Sequence, residues 1–293
     1  MASLLFGCGS SESINKSIMS AINHYDRQAK PSASWQRDCD YIRITAANVA
    51  KYCWYQKGSD PKYTIWFLHG AGDSERVFES SPAEDASYVD FENRLSSANI
   101  VTVSYGPLWL LTIDRNPALK PDGATVDVFT STIMQSIERR HRLARPYIAM
   151  GHSQGGANVA TLCAARPDLW SKCALLNPML PSCNPFNPWP VCFRWFNFGG
   201  LGPNYLVWAN YSRSDWEKNQ PRVLLKKLKG RENPPKLFVT ACRNDTFDLF
   251  DGAKDWVDEA QQLGLNAESV YVEAECDHFH WPAYKVVDFL DRQ

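Results

Sequence analysis

The chain has no apolar run that reaches the roughly 18 to 20 residues a helix needs to cross a bilayer, so it is not read as an integral membrane protein. Charge of one sign is lacking too. Lysine and arginine number 31 against 32 aspartate and glutamate, a net charge of -1, which gives no field to gather nucleic acid or an anionic membrane surface. The absence of any Cys-x-x-Cys argues against zinc-ribbon and thioredoxin-like readings. Neither a Walker motif nor a complete Gly-x-Gly-x-x-Gly occurs, so nucleotide chemistry has no support, and no metal or organic cofactor is implied. Nor does a linker divide the middle of the chain. With 44% hydrophobic and 22% charged residues among 293, the composition is globular and the chain is long enough to bury one large core.

Cysteine, by contrast, is plentiful. Setting Cys8 aside leaves eight of the nine, an even number that could form up to four bridges in an oxidising compartment. Nearness along the chain pairs Cys39 with Cys53 and Cys183 with Cys192. At the N-terminus, Leu4-Leu5-Phe6-Gly7-Cys8 followed by Gly9-Ser10-Ser11 resembles the end of a bacterial lipoprotein signal, in which lipid is attached to the cysteine. Only seven residues precede Cys8, and Phe6 is not the small residue usual at its place; the competing reading is an ordinary apolar start. Membrane anchoring by lipid on Cys8, and an exported location, are expectations from these features. A cytoplasmic location is the alternative.

Residues 1–38 read as a tether, with Ile14, Ile18, Ile22 and Tyr25 at helical spacing. Residues 39–293 read as the main domain. Alternating segments at 41–45 and 51–56 suggest two half-buried antiparallel strands, a continuous apolar run at 63–68 and another segment at 100–105 suggest buried ones, and further strands fall at 147–150, 173–176 and 236–240. Helical patterns fall at 88–97, 126–143, 156–165, 252–263 and from Tyr284, with another strand at 269–273. Such alternation implies an α/β fold with a mostly parallel central sheet and helices on both faces. Arg139, Arg140, Arg142 and Arg145 read as a solvated helix face rather than a binding patch. Residues 181–235 interrupt the alternation with many aromatics among prolines and glycines; they are either an irregular excursion with its own small core or an aromatic-rich cap over a site.

The carboxyl ends of the strands in such a sheet carry its chemistry, and two motifs fall there. Gly151-His152-Ser153-Gln154-Gly155-Gly156 lies between a strand and a helix. A serine hydroxyl is a weak nucleophile unless it is exposed, strained into position and paired with a base, and a sharp strand-to-helix turn supplies the first two. Glycines flank it because backbone and helix pass too closely there for a β-carbon. Ser153 is therefore the candidate nucleophile. Leu68-His69-Gly70-Ala71-Gly72-Asp73-Ser74 ends an earlier strand, where fixed N–H donors could hold an oxyanion. Ala71 and Gln154 are the expected donors, and His69 reads as structural.

Together these motifs resemble those of the carboxylesterase and acyl-protein thioesterase branch of the α/β hydrolases, and the strand-helix order resembles that superfamily over about 250 residues. The resemblance implies an α/β-hydrolase fold, with an acid after the strand that follows the excursion and a histidine after the last strand. Asp245, just past a strand end, is the preferred acid, and Asp248 the alternate. His278 is the preferred base, and His280 the alternate. Cys242 precedes the acid loop and Cys276 the histidine loop, so a bridge between them would pin acid to base. The excursion is longer than compact thioesterases need.

The implied reaction is hydrolysis of an ester or thioester, acting on a small-molecule or lipid-like ester substrate through an acyl-enzyme. A serine peptidase or a lipase on the same fold is the alternative, and a non-catalytic binding module the remaining one. Trp109, Trp189 and Trp195 are candidates to line a bulky or aromatic acyl pocket. Oligomeric state is not legible.

Overall fold

Short, largely apolar runs bounded by turns fold as strands covered on both faces, and this chain has five such segments. The computed structural model describes residues 35–45, 48–80, 86–106, 110–114, 124–181, 212–273 and 276–292. Eight strands form one sheet in the order β1-β2-β4-β3-β5-β6-β7-β8. They are β1 (Gln36–Arg43), β2 (Val49–Lys57), β3 (Thr64–Leu68), β4 (Ala98–Ser104), β5 (Tyr147–His152), β6 (Lys172–Leu176), β7 (Lys236–Cys242) and β8 (Ala267–Val272). β1 and β2 run antiparallel at one edge, and every pairing from β4 to β8 is parallel. The two alternating segments read from the sequence are these antiparallel strands.

The period of two along each strand divides the core. Trp66 and Leu68 on β3, Ala149 on β5 and Leu175 on β6 face one layer; Ile65, Phe67, Ile148, Met150, Ala174 and Leu176 face the other. The second layer is covered by α1 (Val77–Ser80) and α2 (Ala86–Arg94), through Val77, Phe78, Tyr88 and Phe91. The first is covered by a continuous helical segment that is π-helical over Val128–Met134 and α-helical in α3 (Gln135–Arg140), and by α4 (Gln154–Ala165). The 3.6-residue reading of 126–143 finds the helix but not its wider π turns, since periodicity over so few residues does not separate the two. All four arginines near its end are exposed, and Arg140 pairs with Asp40.

Residues 182–211 lie outside the described residues, and with them Trp189, Trp195 and the expected pairing of Cys183 with Cys192. So do Trp109, Cys8 and the helical pattern at residues 14–25. The described remainder of the aromatic excursion begins with two short helices: α5 (Arg213–Asn219), capped by the Ser212 hydroxyl accepting from the Asp215 N–H, then α6 (Pro221–Leu224) with proline at its first position. Trp216, Leu225 and Leu228 join the core layer that includes α4. Helix α7 (Phe250–Gln262) closes that layer through Trp256 and Val257, and α8 (Ala283–Asp291) closes the opposite one through Val286 and Phe289. Among the described residues no helix is long and apolar enough to cross a membrane.

Two disulfides are present among the described residues, Cys39 to Cys53 across β1 and β2, and Cys242 to Cys276. Cys163 and Cys173 are buried thiols. Burial, then the neighbouring Cys163, pushes the Cys173 thiol well up.

Candidate active site

Five adjacent strands, β3, β5, β6, β7 and β8, end on the same side of the sheet, and each is followed by one part of the site. Ser153 sits between β5 and α4 with φ 54° and ψ -117°. Such a backbone costs a non-glycine residue about 1–3 kcal/mol and persists only where its surroundings hold it. Here they do. The Ser153 N–H donates to the Leu176 carbonyl (2.9 Å), and the Ser153 carbonyl accepts from the N–H groups of Met179 (2.8 Å) and Ala157 (3.3 Å).

The glycines of the motif are demanded by contact. A β-carbon on Gly155 would stand 1.8 Å from the Leu68 carbonyl oxygen at the end of β3. One on Gly151 would meet the Gly155 carbonyl oxygen at 2.4 Å, and one on Gly156 would meet Pro178 Cβ at 2.7 Å. These approaches draw α4, β3 and the segment after β6 tightly around the serine turn. A β-carbon on Gly70 would lie 3.4 Å from Ser153 Cβ and 3.4 Å from His152 Nδ1, so the Gly70-Ala71 turn lies against the serine. Gln154, the first residue of α4, is buried beside it. The two expected oxyanion donors thus belong to segments that flank Ser153.

Two loops bring acid and histidine together. His278 Nδ1–H donates to Asp245 Oδ2 at 2.7 Å, and both side chains are only 2% exposed. The other carboxylate oxygen, Oδ1, accepts from the Phe247 N–H at 2.7 Å. A buried carboxylate must have its lone pairs occupied, and these bonds do that. Because a carboxylate only accepts, the pairing fixes the proton of neutral His278 on Nδ1 and leaves the Nε2 lone pair available as a base. The Phe247 ring lies edge-on to His278, with centroids 4.7 Å apart.

The alternates lie elsewhere. His280 is exposed and bonds to Asp277 at 2.6 Å. Asp248 takes a positive φ of 57° in the turn closed by its N–H bond to the Asp245 carbonyl. His69 is fully enclosed, with Nδ1–H donating to the Gly70 carbonyl at 2.7 Å, and burial pulls its pKa down to about 4. It shapes the turn that carries Ala71.

Sequence reasoning passed over two residues. His152 is buried, its Nε2–H donates to the His278 carbonyl at 3.0 Å, and its ring lies 4.9 Å from that of His278. Burial above all, then the nearby His278, lowers its pKa to about 3, so it is neutral near pH 7. Asn177, at the end of β6, also holds the His278 carbonyl, at 2.8 Å, with a positive φ of 40°. Asparagine is among the few residues at ease there, the one local signal for it.

This architecture is the α/β-hydrolase fold: a mostly parallel eight-stranded sheet with a serine turn between β5 and α4. No family model matches the chain, and no curated protein matches it in sequence. Solved structures do match it in shape. A brefeldin A esterase, described as a bacterial homologue of human hormone-sensitive lipase, has a TM-score of 0.63 at 12% identity, covering 99% of this chain and 87% of its own. An S-formylglutathione hydrolase from Agrobacterium tumefaciens has a TM-score of 0.59 at 15% identity, covering 91% and 95%. A fluorophosphonate-binding serine hydrolase of Staphylococcus aureus, FphF, has a TM-score of 0.60 at 13% identity, covering 89% and 100%.

Proposed function

We propose that the protein is a serine hydrolase that cleaves carboxylic esters through an acyl-enzyme, with Ser153 as nucleophile, His278 as base and Asp245 as the residue that orients it. The observation that carries the reading is the buried bond from His278 to Asp245, at the strand ends that also carry the strained Ser153 turn. A solvent-exposed pair at that distance would mean little. Burial of both partners leaves Nε2 as the working edge of the imidazole. The shape neighbours are named as esterases and hydrolases, which supports the same class.

In this mechanism His278 Nε2 takes the Ser153 hydroxyl proton as Oγ attacks the ester carbonyl carbon. The carbonyl π electrons move onto oxygen, and the N–H groups of Ala71 and Gln154 receive that oxyanion; such donors are typically worth several kcal/mol. Collapse expels the alkoxide, which takes the proton from His278. Water then repeats the sequence on the acyl-serine, releasing the acid and restoring Ser153. Asp245 stays ionised, stabilising the imidazolium between the two transfers. The substrate is a small-molecule or lipid-like ester or thioester, and the two disulfides suit an exported protein in an oxidising compartment. A cap formed from residues 181–235, with Trp109, Trp189 and Trp195 against the acyl group, belongs to the same proposal.

Covalent labelling by a fluorophosphonate probe tests it directly. Folded wild type should label at Ser153 and turn over p-nitrophenyl acetate, and Ser153→Ala should do neither. Failure of folded wild type to label or to turn over p-nitrophenyl esters from acetate to octanoate would sink the reading.

A further inference from the structure

The four residues from Leu176, the last of β6, to Met179 hold both halves of the proposed catalytic pair. Leu176 accepts from the Ser153 N–H at 2.9 Å, and Met179 donates to the Ser153 carbonyl at 2.8 Å, so the nucleophile's backbone is anchored on either side of Asn177 and Pro178. From the same segment, the Asn177 side chain reaches the loop that carries the base. Its Nδ2 donates to the His278 carbonyl at 2.8 Å and the His280 carbonyl at 3.1 Å, with the Asp277 carbonyl at 3.5 Å.

Three carbonyls around one atom settle which end of the carboxamide is the amine, since carbonyls only accept. Oδ1 then faces the Thr240 hydroxyl at 3.4 Å, while the Asn177 N–H donates to the Thr240 carbonyl at 3.0 Å. The residue is thereby tied to β7, and it is 2% exposed. The second lone pair of the His278 carbonyl is taken by His152 Nε2–H at 3.0 Å, from the residue directly before Ser153.

We infer that Asn177 is a positioning residue: with His152 it clamps the His278 backbone and sets the distance between the base and Ser153. The inference rests on the proposed esterase reading. The physical case is that a loop residue has no strand ladder to locate it, so its backbone must be held by side chains. The Asp245 bond fixes the rotation of the imidazole but not the position of its Cα; among the described residues it is the clamp that ties that to the segment that anchors the serine. A shift of about 1 Å in such a pair can cost about a hundredfold in rate.

Asn177→Asp and Asn177→Gly test it, because both tolerate the positive φ while removing the donor. Each should label more slowly with fluorophosphonate and lower kcat on p-nitrophenyl acetate about 10- to 100-fold, with KM within about twofold. The low-field Nδ1 proton resonance of His278 should shift or broaden while the circular dichroism spectrum stays native. His152→Leu should lower kcat similarly, and His152→Gln, which places an amide donor where Nε2 stood, should recover most of the loss.

If wild type labels and turns over but folded Asn177→Gly keeps kcat within about twofold and the His278 resonance is unmoved, the clamp is wrong and the esterase reading stands. If Asn177 variants lose activity only in proportion to their unfolded fraction, the role is structural and the inference also fails. If folded wild type itself neither labels nor turns over, the esterase reading fails and takes the catalytic role of the clamp with it.

Discussion

Cys242 and Cys276 are joined by a disulfide that stands three residues before Asp245 and two before His278. The bond couples the two loops whose side chains meet 2.7 Å apart. Closing a segment with a sequence separation of 34 also restricts the unfolded chain, worth about 3–4 kcal/mol in the loop-entropy account. Cys39 to Cys53 spans 14 residues, worth about 3 kcal/mol on the same account, on strands at the far antiparallel edge. Replacing either cystine by serines should therefore lower the melting temperature. Only loss of Cys242–Cys276 should also reduce kcat in the folded fraction, by about tenfold. Equal effects of the two replacements on kcat, measured well below melting, would contradict the coupling of acid to base.

Asp245 and Asp248 are three residues apart, and their carboxylates should separate sharply by mutation. Asp245→Asn presents an amide to His278 and favours the wrong imidazole tautomer, which should lower kcat by about a thousandfold or more. Asp248→Asn keeps a side chain suited to positive φ and should change kcat by less than about threefold. His280→Gln should likewise have little effect, since that ring bonds outward to Asp277. Steady-state kinetics on one activated ester ranks all three, and a larger loss at Asp248 than at Asp245 would overturn the assignment.

Most of the sheet was legible because its strands are short apolar runs with a period of two against both layers, as at Ile65 to Leu68. The serine turn was legible because its glycines leave no alternative residue: every β-carbon there meets backbone or Pro178. Asp245 could be preferred because the family resemblance places an acid shortly past the strand that follows the excursion, and that strand ends at Cys242. Asn177 could not, for its role lies in three carbonyls about 100 residues away in sequence, a relation local patterning does not carry. Helices α5 and α6 were hidden by the aromatic and proline content around them, although Ser212 and Pro221 are ordinary helix-start signals.

Gly155 offers a severe packing test. An alanine there would put Cβ 1.8 Å from the Leu68 carbonyl oxygen, an atom within the sheet that cannot rotate away. Either α4 or the end of β3 must move, a strain worth about 3 kcal/mol or more. Gly155→Ala should therefore fail to fold or lose that much in urea unfolding. Gly230→Ala, whose β-carbon meets nothing within 4 Å, should cost only what its positive φ of 76° imposes, about 1 kcal/mol. Equal urea midpoints for the two variants would show that the close approach at Gly155 is relieved at no cost.

The two buried histidines give stability a dependence on pH below neutrality. Burial lowers the pKa of His152 to about 3 and that of His69 to about 4, from an ordinary value of 6.5. Between pH 6.5 and those lower values the unfolded chain binds protons that the folded chain refuses. Stability is thus fully present above about pH 6.5 and is lost as pH falls through that window, by about 2 kcal/mol per histidine at pH 5. Urea unfolding at pH 7.5 and pH 5.0 should show the drop, and replacing both residues by glutamine should remove about 4 kcal/mol of it, because an amide does not titrate. Carboxylates act in both proteins alike, so the difference between wild type and the double variant isolates the imidazoles. An identical loss in the two would mean that His152 and His69 take up protons in the folded state at ordinary pH. In that case His152 would carry a charge beside His278, raising the energy of the imidazolium that ester cleavage must form.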